Sequence, residues 1–353
     1  MKLSGLMKRI IGIEGLPIAA VLGLLYLIFY FAAPGVFSDY LIYMSFFQTV
    51  PPVLIMALGL TFVITAGEID LSFPAVIALS GYVFTFWYKS VGEPFSGFAL
   101  ALMAGALVGW VNGLLVAKVR VPSIMATLAA QFFWAGVTLL LCGGLQVNIL
   151  EIVDTPIHQV FVGRLFGIVP MQALWATGLA VFLWFLLNRH VFGEAIMFIG
   201  DNPDVARVMG IKVDSVRIRL FVMMGLIAAF AGLVLTLEAN VFWPTQGQNS
   251  LLGVMASVFI GGTSIAGGEG VIVGTFFGSY IIGSLEAGVV ASGIGGYWTQ
   301  LSEGIVMGAV IVFNAAVKER SLEGLKNRLR SMIGQGPARA PRERNSGFPT
   351  SGS

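Results

Sequence analysis

Charge is what this sequence has least of. Asp, Glu, Lys and Arg make up 11% of its 353 residues, against 57% hydrophobic residues. Soluble globular domains carry about 25% charged and about 45–50% apolar residues. The deficit excludes an ordinary water-solvated core-and-surface fold and points to lipid as the solvent. Cysteine is nearly absent. The lone Cys142 excludes an internal disulfide and any paired-cysteine zinc or redox motif, and reads as a small packing residue. No Gly-Lys dipeptide occurs anywhere, so there is no G-x-x-x-x-G-K-[ST] phosphate loop. The glycine-rich stretch "GGTSIAGGEG" (261–270) has no lysine to meet a phosphate. Only two histidines are present, His158 and His190. No serine–histidine or cysteine–histidine constellation stands out, so nothing points to an enzyme or to a resident metal. The basic residues are spread over short loops and a tail, which gives no patch for nucleic acid.

Long apolar runs are plentiful. A hydrocarbon core of about 30 Å needs roughly 20 apolar residues per helical span. Ten spans are expected, near 16–33, 45–66, 71–88, 97–116, 122–141, 171–188, 218–238, 250–262, 270–291 and 298–316. The second, third, eighth and ninth are interrupted by polar or glycine-rich junctions, so counts from eight to eleven are compatible with the pattern. The run from Leu16 to Ala33 exceeds the usual 7–15-residue signal-peptide core and reads as an uncleaved first span.

Lys and Arg collect in short cytoplasmic loops. With the N-terminus inside and ten alternating spans, Lys2, Lys8, Arg9, Lys118, Arg120, Arg189, Arg207, Lys212, Arg217 and Arg219 fall inside. So do Lys318, Arg320, Lys326, Arg328, Arg330, Arg339, Arg342 and Arg344, which makes eighteen of the 20 basic residues; only Lys89 and Arg164 fall outside. The expected fold class is therefore an all-α polytopic membrane protein with both termini cytoplasmic. Its parts are an N-terminal stretch 1–15, a transmembrane domain 16–316 with a cytoplasmic loop at 189–217, and a basic, disordered tail 317–353. The two histidines lie on opposite sides in this topology. The outside segment 142–170 is long and rather apolar, and should lie on or dip into the membrane surface. Gly105, Gly109 and Gly113, and Gly274 with Gly278, have the four-residue spacing that lets helix backbones approach in lipid.

Three polar segments interrupt the apolar pattern. In "VITAGEIDLSFPAVIALSG" (63–81), Glu68 and Asp70 sit between two apolar runs. Intramembrane acids cost about 2.5–3.5 kcal/mol each on insertion scales and mark functional or well-paired sites. Topology favours the other reading, a cytoplasmic turn in which both carboxylates are wet or cap the next helix, with Asp70 as a candidate N-cap of the following span. "GGTSIAGGEGVIVGTFFGSY" (261–280) has a related design, and interrupted segments of this kind are used by transporters near their pathways. In "GDNPDVARVMG" (200–210), Asn202 is a good N-cap and Pro203 fits the first helical position, while Gly210 can end the helix in the left-handed conformation. Val205, Val208 and Met209 form one apolar stripe, and Asp204 and Arg207 point elsewhere. A two-turn helix is not stable alone in water, so its stripe packs on this chain or on a partner. Asp214 or Ser215 is expected to cap the following span, with Arg217 and Arg219 at the headgroups.

The segments "GLTFVITAGEIDLS", "TLAAQFFWAGVTLLLCGG", "GDNPDVARVMGIKVDSVRI" and "VFIGGTSIAGGEGVIVGTFFGSYIIG" occur in this order. Together they resemble the permease subunits of bacterial ATP-binding-cassette importers of the ribose type, relatives of the branched-chain amino-acid permeases. The resemblance runs from about residue 45 to 316. "GEIDLSFP" departs from the commoner "SGIDLSVG" of that family. The resemblance implies an importer-type bundle of about ten helices in the bacterial inner membrane. It implies a second permease, two cytoplasmic ATPase subunits and an extracytoplasmic solute-binding protein as partners. ATP and Mg are then bound by the ATPase, with no cofactor in this chain. Asn202, Pro203, Asp204, Val205, Ala206, Arg207, Val208, Met209 and Gly210 become the helix that couples to the ATPase. Asp70, Asn112, Thr263 and Ser264 are the candidates for the solute pathway. The implied cargo is a sugar or polyol. The alternatives are an amino acid or nucleoside carried by the same machinery, or a proton-coupled secondary transporter using Glu68, Asp70 or Glu286.

Overall fold

The computed structural model describes residues 15–291, with the side chains of 286, 287, 290 and 291 excepted, and residues 298, 301, 304, 305 and 308. The chain divides into a unit through Met307 and a second from Gly308; apart from Gly308, the described residues belong to the first. Most of the expected tenth span, the stretch 1–14 of the N-terminal segment, the tail 317–353 and the side chain of Glu286 lie outside them.

Fourteen helices of the α type make up the described unit: α1 Leu16–Ala32, α2 Pro34–Phe37, α3 Tyr40–Thr49, α4 Pro51–Thr65, α5 Phe73–Val91, α6 Pro94–Leu114 and α7 Ser123–Cys142. After these come α8 Pro156–Val162, α9 Met171–Arg189, α10 Val191–Asp201, α11 Pro203–Val208, α12 Val213–Ala239, α13 Ser250–Ile260 and α14 Ile272–Ala291. Four helical segments, Pro94–Val119, Ser123–Cys142, Met171–Arg189 and Val213–Ala239, are long and apolar enough to cross a membrane. The pair α3 and α4 makes a fifth, bent by 48°. Pro51 and Pro52 follow Thr49 after a single residue, Val50, and two residues without a backbone donor break the ladder there.

The core is centred on α4, of whose 15 residues all but Val53 are buried. It is apolar on every side, as a helix enclosed by other helices must be. α12 is its longest neighbour, and α6 crosses α12 closely: a Cβ added at Gly105 or Gly109 would overlap the carbonyl oxygens of Gly225 or Phe221. α14 meets α13 in the same way, where a side chain at Gly274 or Gly278 would overlap the backbone at Gly261 and Ser257. Without a hydrophobic force between helices in lipid, such backbone proximity is what holds them.

Contacts sort the loops onto the two ends of the bundle. At one end, the amide of Gly268 donates to Thr65 O (2.8 Å), and Gly67 faces Gly200. Loops 66–72, 115–122, 189–212 and 261–271 therefore share that end. At the other, β1 (Val147–Asn148) pairs antiparallel with β4 (Val241–Phe242), and β2 (Arg164–Leu165) with β3 (Val169–Pro170).

Within this mostly helical structure, the second end is where the chain departs from helix into strands. Segment 142–170 folds as short strands, a 3-10 turn at Leu150–Ile152 and α8, because a chain that does not continue as helix still has amides and carbonyls to pair. Two corrections concern the loop at 189–217. α10 was not expected; its buried Ala195, Ile196 and Ile199 repeat at helical spacing, a signal present in the sequence. α12 starts at Val213 with no side-chain cap. Asp214 instead pairs with Lys118 at 3.2 Å.

Candidate functional site

The chain leaves helical conformation between α4 and α5. Gly67 turns it through a left-handed φ of 74°, and residues 68–72 run on without helix. Non-helical backbone is tolerated at membrane depth only where other groups satisfy it, and here the amides of Glu68, Ile69, Leu71 and Ser72 each have a partner. The amide of Glu68 donates to Val63 O (3.1 Å), that of Ile69 to Ser123 Oγ (3.1 Å), and that of Leu71 to Thr127 Oγ1 (3.0 Å). One turn into α5, the amide of Ala75 donates to Gln131 Oε1 (2.8 Å). Ser123, Thr127 and Gln131 stand four residues apart and so share one face of α7. That face is a polar strip on which the extended segment hangs.

Asp70 and Ser72 fill the remaining places. Asp70 Oδ1 accepts from the Ser72 amide (2.7 Å) and from Ser72 Oγ (2.6 Å). Asn112 Nδ2, on α6, donates to Ser72 Oγ (2.8 Å). Asp70, Ser72 and Asn112 are all buried, and Asn112 Oδ1 has no hydrogen-bond partner among the described residues. The expectation of a wet turn is thereby corrected. Asp70 is not the N-cap of α5; Ser72 holds that position and Asp70 braces it. Glu68 is also buried and forms an ion pair with Arg217 on α12 (Oε1–Nε, 2.7 Å). Arg217 therefore turns inward instead of lying at the headgroups, whereas Arg219 is exposed.

Next to this segment lie α10 and α11. Asn202 Oδ1 accepts from the amides of Asp204 (3.0 Å) and Val205 (3.1 Å), Pro203 opens the helix, and Gly210 has φ 86°. Asp204 and Arg207 pair across one turn at 2.7 Å. Only Ala206 of this helix is buried; Val205, Val208 and Met209 face outward, Val208 at 90% exposure. A cavity of about 520 Å³ opens beside α11, lined by Glu68, Arg120, Ser123, Arg207 and Arg217 among others. It joins the surroundings of α11 to those of the extended segment.

Thr263 and Ser264 serve their own loop. Thr263 Oγ1 accepts the amide of Val271 (3.2 Å), and the amide of Ser264 donates to Glu269 O (3.0 Å). Of the four pathway candidates, then, hydrogen bonds bring together Asp70 and Asn112, through Ser72, and leave Thr263 and Ser264 apart. Sequence reasoning missed Ser72, Ser123, Thr127, Gln131 and the partner of Glu68. The period-four polar strip on α7 was the available signal.

The opposite end has a second polar cluster. Gln172 Nε2 donates to Glu238 Oε2 (2.5 Å), Gln48 Nε2 donates to Glu238 Oε1, and Arg164 donates to Gln48 Oε1 (3.2 Å). Lys89 pairs with Glu151 and, through that hydrogen bond, holds its carboxyl below the usual range. Burial pushes the imidazole of His158 down, against the opposing pull of Glu238 and Asn240. No group of three or more His, Cys, Asp and Glu placed to hold a metal ion occurs among the described residues.

Residues 42–315 match the family described as branched-chain amino acid transport system / permease component. The ribose import permease protein RbsC of Bacillus subtilis is 35% identical over 253 residues, 72% of this chain and 78% of that protein. RbsC of Escherichia coli K12 is 35% identical over 264 residues, 74% of this chain and 81% of that protein. The autoinducer 2 import system permease protein LsrC of Yersinia pseudotuberculosis is 30% identical over 277 residues, 77% of this chain and 76% of that protein. No solved structure matches. The chain belongs to this permease family and is a multi-pass membrane transport component, not an enzyme.

Proposed function

We propose, for this member of the permease family, that it is the membrane subunit of an ATP-driven importer carrying a sugar or polyol across the bacterial inner membrane. The relatives support this cargo by their names, ribose import permease and autoinducer 2 import permease. About ten spans with both termini cytoplasmic fit the gathering of Lys118, Arg120, Arg189, Arg207, Lys212, Arg217 and Arg219 at one end of the bundle. A second permease, two ATPase subunits that bind ATP and Mg, and an extracytoplasmic binding protein complete the machine. Segment 142–170 and the turn at 239–250 are the proposed contacts of the binding protein. Asp70 and Asn112, with Thr263 and Ser264 in the neighbouring loop, are proposed to border the solute's route.

The observation that carries the coupling assignment is α11. Asn202 and Pro203 start it, Gly210 ends it, and between them Val205, Val208 and Met209 face outward instead of packing on the chain. A six-residue helix is too short to hold itself, so an exposed apolar stripe on it is explained by a partner's cleft. Residues Asn202 to Gly210 are the proposed seat of the ATPase.

Vesicles reconstituted with the whole importer test this. Val208→Asp buries a charge in the joint, and Arg207→Glu reverses one. Each is expected to leave membrane insertion intact and to lower ATP-dependent uptake by at least about tenfold, since a central interface residue is worth roughly 2 kcal/mol or more. Normal ATPase association and uptake in both variants would reduce α11 to a loop brace. Uptake by this chain alone, driven by a proton gradient, would sink the importer reading itself.

A further inference from the structure

The extended segment after α4 is fastened to its neighbours in two chemically different ways. Toward α7 and α6 the bonds are neutral: Ser123 and Thr127 take the amides of Ile69 and Leu71, Gln131 takes the amide of Ala75 one turn into α5, and Asn112 donates to Ser72 Oγ. Toward α12 the fastening is the ion pair of Glu68 with Arg217, both mostly buried, with side-chain exposures of 8% and 19%. Burying two charges is expensive, and removing one partner strands the other without compensation. The pair is held by charge at 2.7 Å and not by an aligned hydrogen bond, since Arg217 Nε has no hydrogen-bond partner among the described residues; its hold on the segment is the cost of parting two buried charges.

Arg217 is four residues beyond Val213, the first residue of α12, and α12 follows α11 after only four residues. That joint is closed by backbone bonds. Gly210 N donates to Arg207 O (3.0 Å), Ile211 N to Ala206 O (3.0 Å) and Val213 N to Ile211 O (2.9 Å). α11 and the start of α12 are thus one stiff piece, and Arg217 is the point at which that piece grips the extended segment. Two residues beyond Glu68 stands Asp70, with Ser72 and Asn112 attached.

We infer that the Glu68–Arg217 ion pair is the tie through which a displacement of α11 moves the extended segment and, with it, the buried Asp70–Ser72–Asn112 cluster. Glu68 and Arg217 are positioning residues. They act through the cluster and need not touch the solute. The inference rests on the importer reading, because it takes the displacement of α11 to come from the ATPase.

Hydrogen exchange of the complete importer, resting and trapped with vanadate and ATP, tests it without knowledge of the solute. In the parent protein, trapping is expected to change exchange across residues 67–72 by at least about fivefold, since local opening sets these rates. Glu68→Gln and Arg217→Met are each expected to abolish that response, and the exchanged pair Glu68→Arg with Arg217→Glu to restore it. If a single variant fails to accumulate, Glu68→Gln combined with Arg217→Gln, which leaves no stranded charge, takes its place with the same expected loss. A pair that only stabilises the fold would raise exchange equally in both states and leave the response to trapping in place; that result overturns the inference. So does a parent segment that ignores trapping. Failure of the parent chain to assemble with its ATPase is a separate result, and it strikes the importer reading first.

Discussion

Asp70 places both of its hydrogen bonds on one oxygen. Oδ1 receives the amide and the hydroxyl of Ser72, at 2.7 and 2.6 Å. An asparagine offers the same carbonyl oxygen in the same position, so Asp70→Asn keeps the brace without the carboxyl group. Asp70→Ala instead leaves the Ser72 amide and hydroxyl without an acceptor in a buried site, which costs about 1–3 kcal/mol. We expect thermal unfolding of the detergent-solubilised chain to show no loss for Asp70→Asn and a clear drop for Asp70→Ala. Equal losses would mean that the carboxyl group itself, and not the shared acceptor oxygen, holds the turn. At this scale the sequence was readable where partners are local. Asn202 was identified as a cap because its acceptor serves amides two and three residues on. Arg217 was misplaced at the headgroups because its partner, Glu68, lies on another helix junction far away in the chain. No periodicity encodes such a pairing.

Elements were legible to the extent that their signals are periodic. The four-residue spacing of Gly105, Gly109 and Gly113 indicated a close helix crossing, and α6 does meet α12 there backbone to backbone. The seams between elements were less legible. The break at Pro51 and Pro52 and the helix α10 carry local signals that went unread, whereas the extended run 68–72 depends on what packs against it. The amides at Ile69, Leu71 and Ala75 are satisfied by α7, and nothing within 68–75 announces it. The glycines permit a sharp contrast. A Cβ at Gly109 would overlap the Phe221 carbonyl, whereas at Gly136 on α7 it meets nothing within 4 Å. Gly109→Leu is therefore expected to prevent α6 from seating on α12, at a cost well above the 1–3 kcal/mol of ordinary overpacking. Gly136→Leu is expected to be neutral, or slightly stabilising through helix propensity of up to about 1 kcal/mol. Monodisperse protein recovered by size-exclusion chromatography checks both; equal recovery would show that the crossing can open.

On the scale of the whole molecule, the two ends of the bundle differ in charge and in construction. One end combines α11, the cavity with its three arginines and the loops around Gly67, Gly200 and Gly267. The other is closed by β1 with β4 and by the cluster of Gln48, Arg164, Gln172 and Glu238. Chain direction connects them. α7 starts at Ser123 beside the extended segment and ends at Cys142, so the single cysteine marks the end opposite Val208. Cys142 is partly exposed, which makes the native chain its own topology probe. If the basic end faces the cytoplasm, a membrane-impermeant maleimide added to intact spheroplasts should label Cys142. In a Cys142→Ser background, Val208→Cys should resist the reagent until the membrane is permeabilised. The α11 stripe would then face the compartment that holds ATP, as an ATPase seat must. The reverse labelling pattern would turn the basic loops outward, against the positive-inside bias. It would also leave α11 on the wrong side to meet an ATPase, whatever the geometry of its cap.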